Sequence, residues 1–97
     1  MVAGPWGEIR IPGDAIARLV VDAAQLTQGV RVPRPRRGVD VTIEHGRATV
    51  ELQIAARLGT LFPHAARNVQ ATVHATLGLS AGLEVDAVDV TVTELDP

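Results

Sequence analysis

The sequence predicts an α+β fold, a two-layer sandwich in which two helices lie on one face of a four-stranded mixed sheet. Three observations carry this prediction. Apolar and polar residues alternate through 39–57, as in strands with one face in water. Apolar residues recur at spacings of three and four in 14–28 and again after Pro63, as in amphipathic helices. Two helices cannot cover both faces of four strands, and Asp40, Thr42, Glu51 and Gln53 supply the polar face that stays wet.

The elements follow in the order β-α-β-β-α-β. "GEIRI" (7–11) sets Ile9 and Ile11 on one face, a short first strand that "PGD" then breaks. Ile16, Leu19, Val20, Ala23, Ala24 and Leu26 form the apolar stripe of a helix over 14–28, with Asp14 suited to its first turn and Gly29 to its left-handed end. "RVPRPRR" (31–37) reads as a loop, because two prolines in three positions forbid regular pairing. "VDVTIE" (39–44) and "RATVELQIAAR" (47–57) form a hairpin closed by His45 and Gly46, residues that tolerate positive φ.

Pro63 fits the first turn of the second helix, where its missing N–H costs nothing. Phe62, Ala66, Val69, Val73 and Leu77 line its inner stripe, and Gly78 to Gly82 ends it. "LEVDAVDVTVTEL" (83–95) is the last strand. Its apolar phase slips between Val85 and Val88, so a bulge is expected near Ala87. The crossover into this strand should be right-handed and parallel. The order of strands in the sheet stays open.

Composition narrows the function. Ninety-seven residues make one small domain, 1–97, able to bury roughly 60–65% of its unfolded surface. Trp6 and Phe62 are the only aromatics, which disfavours nucleic-acid binding by base stacking. There is no cysteine, so disulfides and thiolate metal sites are excluded. No apolar run approaches the ~20 residues of a membrane span, and "MVAGPWGEIR" lacks the regions of a signal peptide, so a cytoplasmic location is expected. Ser80 is the only serine, lysine and tyrosine are absent, and no metal-protease, phosphate-loop or dinucleotide motif occurs. The expectation is no enzyme, no cofactor and no metal.

Three stretches form a recognisable set: "GEIRI…AIARLVVDAAQLTQGV", "GTLFPHAARNVQATV" with Gly59, Pro63, Ala66, Val69, Gln70 and Val73, and "GLEVDAVDVTV" with Gly82, Leu83, Val85, Val88, Val90 and Val92. In these the chain resembles the alkaline shock protein family, small bacterial proteins linked to envelope stress. The likeness runs from Gly7 to Val92. Members usually have a serine helix cap where Pro12 stands, and this chain's loop after Val30 is short and rich in Arg. The resemblance implies a cytoplasmic, non-enzymatic protein that acts through protein contacts, in some cases at the membrane through an anchored partner.

Two surfaces stand out. On the second helix His64, Arg67, Asn68, Gln70 and His74 form a candidate partner-binding face. His64 and His74 are ten residues apart, ~15 Å along the axis, so they cannot share a metal. Two histidines beside Arg67 would make docking pH-sensitive. Gln70 is either a hydrogen-bond donor to backbone of a partner or neighbouring strand, or an exposed helix former. Arg31, Arg34, Arg36 and Arg37 form the second surface, a candidate contact for anionic lipid, an acidic partner or nucleic-acid phosphates. Against these four cations stand Glu84, Asp86, Asp89, Glu94 and Asp96 of the last strand. Either the two groups neutralise each other within the chain, or they drive head-to-tail self-association. The expected function is therefore an adaptor or scaffold of the envelope stress response, working through a protein partner or a homo-oligomer. The alternative is an anionic-lipid or nucleic-acid module using loop 31–37.

Overall fold

A computed structural model describes residues 13–97 and, by backbone alone, Ala3–Gly4 and Gly7–Glu8. The two short segments, β1 (Ala3–Gly4) and β2 (Gly7–Glu8), pair antiparallel with each other in a ladder of their own. The start of the expected first strand thus pairs with Ala3–Gly4 rather than with the main sheet. Its remainder, Ile9 to Ile11, lies outside the described residues.

Among the described residues the main sheet has four strands: β3 (Val30–Arg31), β4 (Val39–Glu44), β5 (Arg47–Arg57) and β6 (Glu84–Asp96). β5 is its centre. β4 pairs antiparallel with the first half of β5, from Val39↔Leu52 to Glu44↔Arg47. β3 pairs antiparallel with its end, through Val30↔Ala56 and Arg31↔Ala55. β6 runs parallel to β5 over its whole length and so occupies the opposite edge from both. The sheet is mixed, as predicted, and among the described residues its fourth strand is β3, while Gly7–Glu8 pairs with Ala3–Gly4. Arg31, expected in a loop, is therefore a strand residue. The Arg57 N–H donates to the Gly29 carbonyl at 2.9 Å and draws Val30 into register, and pairing stops before Pro33.

The hairpin turns on His45 at φ 52° and Gly46 at φ 74°, the two positive angles of a type I′ turn. Ala48, Val50, Leu52 and Ile54 of β5 face the helices and are almost wholly buried. α1 (Gly13–Gln25) covers them with Ile16, Val20, Val21, Ala23 and Ala24. The helix is shorter than its apolar period suggested. The Leu26 N–H donates to the Ala23 carbonyl at 3.2 Å and the Thr27 N–H to that of Ala24 at 3.1 Å. This tight turn throws Leu26 outward, 79% exposed, before Gly29 turns the chain into β3.

α2 (Phe62–Ala81) buries Ala65, Val69, Val73 and Leu77, one residue per turn. Full burial of a side chain the size of Val73 or Leu77 is worth about 1.5–3 kcal/mol. The helix runs through Gly78 and ends at the left-handed Gly82, φ 66°, with the Gly82 N–H and the Leu83 N–H (3.2 Å) both on the Leu77 carbonyl. In β6 the register jumps from Ala48↔Val85 to Thr49↔Ala87, a bulge at Asp86, where the phase slip placed it. A second bulge falls at Thr93, between Ile54↔Val92 and Ala55↔Glu94. Both helices lie on one face, and Val85, Val88, Val90 and Val92 of the edge strand β6 are only partly covered. Among the described residues no helix is long and apolar enough to cross a membrane.

Candidate docking surface

The candidate face of α2 divides in the folded chain. His64, Arg67, Asn68 and His74 are exposed, whereas Gln70 is half-buried. The Gln70 amide donates from Nε2 to the Val88 carbonyl at 3.0 Å and ties α2 to β6. Of the two readings of Gln70, the neighbouring strand takes it. Arg67 folds back along its own helix and donates from Nε to the Pro63 carbonyl at 3.2 Å.

His64 and Asn68, one turn apart, face a groove at the start of α2. Its other walls come from the α1–β3 turn (Gln28, Gly29) and from the β5–α2 connection (Arg57, Leu58, Thr60, Leu61). These segments meet because β5 delivers the chain to α2 at the same end where α1 turns into β3. Gly29 sits at φ 80°, and a Cβ there would lie 3.1 Å from Thr60 Oγ1, so the junction admits little besides glycine. Leu58 and Leu61 are 57% and 67% exposed on this groove. They belong to no core, and sequence reasoning passed over them. The available signal was two leucines flanking "GT" in a short connection between a strand and a helix, where polar residues are the rule.

The arginine loop also divides. Arg31 Nη2 lies 3.2 Å from Glu94 and 3.0 Å from Asp96. Arg31 and Glu94 are the register partners of Ala55 on its two sides, so the bridge crosses above Ala55 and buries it completely. At the other end of β6, Arg47 holds Glu84 at 2.8 Å and Asp86 at 2.6 Å. Hydrogen bonds from the two guanidiniums are the main reason that the Asp86 and Asp96 carboxyls titrate below their usual range, and they raise Arg31 and Arg47 in turn. Neutralisation within the chain thus accounts for four of the five acidic residues in 84–96, partly through Arg47, which lies outside the loop. Arg34, Arg36 and Arg37 form no ion pair among the described residues.

The loop itself is clamped. The Gly38 N–H donates to the Arg34 carbonyl and the Gln53 N–H to the Gly38 carbonyl, both at 2.7 Å. A Cβ on Gly38 would meet the Arg34 carbonyl at 2.8 Å. The clamp puts Arg37 at the margin of a hollow on the open sheet face, where Asp40, Glu51 and Asp89 stand side by side across three strands. Arg36 borders a different hollow with Asp14 and Asp22 of α1. Among the described residues no three histidine or carboxylate side chains are grouped so as to hold a metal ion.

Comparison with known proteins agrees with this architecture. No curated protein matches the chain in sequence. A solved structure, "MamM CTD D249N - Zinc form", superposes with a TM-score of 0.53 at 18% identity over 84% of each chain, a likeness of fold. The model of the alkaline shock protein family, described by its "cell envelope-related function", matches residues 12–97, nearly the whole chain. The protein therefore belongs to the alkaline shock protein family, whose function is cell envelope-related.

Proposed function

We propose that the protein is a non-enzymatic adaptor of the cell envelope stress response that docks a protein partner at the groove opening α2. The observation that carries this reading is the pair Leu58 and Leu61, exposed beside His64 and Asn68 on a concave surface. Two leucines left in water next to polar side chains that fix orientation make an apolar anchor with a polar rim, the composition of a protein interface. Arg67 and His74 continue the exposed ridge of α2 away from the groove. The family's envelope-related function supports a partner at or near the membrane, with the protein held there through that partner. The test is recovery of a partner from native cells, membrane fraction included. Leu58→Ser with Leu61→Ser should abolish recovery, His64→Ala should weaken it, and Arg34→Glu with Arg36→Glu should leave it intact. Recovery that survives the leucine variant and fails with the arginine variant reverses the assignment.

A second reading has its own observation. Arg34 and Arg36 are exposed and without ion pairs among the described residues, which supports the loop as a contact for anionic headgroups or phosphates. Each arginine near such a surface is worth about 1 kcal/mol. Flotation with anionic vesicles at low salt tests it, and failure to float there removes the lipid version.

A further inference from the structure

β6 is 13 residues long, and its outer edge has no strand partner among the described residues. Natural sheets blunt such edges with proline, lysine or unpaired charge. β6 holds neither proline nor lysine, and Arg47 and Arg31 already neutralise the carboxylates at its two ends. Between the bulges the register is unbroken from Ala87 to Val92, and Asp89 is the only charge in that stretch. Gln53 donates its N–H on the β4 side of β5, so Val50, Leu52 and Ile54 turn theirs toward β6, and the Val88 carbonyl that Gln70 meets, level with Val50, belongs to the outer edge. Backbone groups of alternate residues point the same way, so Val90 and Val92 also offer their N–H and carbonyl groups outward.

We propose that this edge pairs antiparallel with the β6 edge of a second copy, the two-fold axis passing through Val90. Val90 then exchanges both backbone bonds with Val90 of the second copy, and Val88 is opposite Val92. On the open face Asp89 meets Thr91 of the other copy, so no like charges oppose each other in the paired stretch. On the helix face the half-covered Val88, Val90 and Val92 gain valine neighbours across the junction. The acidic pairs at the strand ends fall beyond the bulges, each held by its own arginine. Gln70 guards the edge. It occupies the Val88 carbonyl that the Val92 N–H of the second copy needs, so the full ladder forms as Gln70 lets go. This contact is independent of the groove at the start of α2.

Sedimentation of the purified chain over a wide concentration range tests the proposal, with circular dichroism to verify that each variant is folded. The wild-type chain dimerises. Thr91→Asp puts a like-charge pair at each of two symmetric positions and weakens the dimer about tenfold. Thr91→Arg meets Asp89 of the second copy and tightens it, and Gln70→Ala tightens it by freeing the Val88 carbonyl. A wild-type chain that stays monomeric, a dimer that responds alike to Asp and Arg at position 91, or a dimer weakened by Gln70→Ala overturns the proposal.

Discussion

Gln70→Ala separates a structural tie from a surface residue by the sign of its effect. The amide donates to the half-buried Val88 carbonyl at 3.0 Å, and a hydrogen bond of this kind contributes about 1 kcal/mol net. Alanine is the better helix former by a few tenths of a kcal/mol, which offsets part of the loss. The expected result is a net destabilisation of about 0.7 kcal/mol. For a domain of this size that lowers Tm by about 3–6 °C. The assay is thermal unfolding by circular dichroism, run dilute enough that the chain is monomeric, because dimerisation would raise the apparent stability. If Gln70 were only a solvated helix residue, alanine would leave Tm unchanged or raise it slightly. A Tm at or above wild type therefore refutes the tie between α2 and β6.

Three further outcomes follow from the packing and the charges. Leu77 is fully buried, so Leu77→Ala should cost about 2–5 kcal/mol in urea unfolding, whereas the same change at Leu79, 89% exposed, should cost less than about 0.5 kcal/mol. Gly46 sits at φ 74°, so Gly46→Ala should destabilise by about 1–2 kcal/mol although a Cβ there meets nothing, a loss visible in the same assay. Asp86 and Asp96 titrate below their unfolded values, so their contribution is present above the ordinary carboxylate range and lost as pH falls through the depressed values. The urea midpoint should therefore fall between neutral pH and about pH 3, and Arg47→Gln with Arg31→Gln should flatten that dependence.

The elements legible in the sequence were those fixed by local chemistry. The turn at His45–Gly46, the proline at the head of α2 and the bulge at Asp86 each depend on a few adjacent residues, and each lies where the pattern put it. β3 was not legible. Two residues in front of a proline carry no periodic signal, and only the long-range bond from Arg57 to Gly29 makes them a strand. α1 was drawn too long because Leu26 continues the apolar period past the point where the turn toward β3 begins. The groove was half legible. His64 and Asn68 were visible as helix-face residues, but Leu58 and Leu61 join them through a meeting of two connections that only the topology determines. The ion pairs of Arg47 were likewise hidden, because they depend on the parallel register of β5 and β6.

The adaptor reading is tested most directly by photo-crosslinking in native cells, with the reactive group placed in turn at His64 and at Arg36. A discrete protein adduct is expected from position 64, lost with Leu58→Ser and Leu61→Ser, and none of comparable yield from position 36. A single adduct from position 36 with nothing from position 64 would contradict that reading.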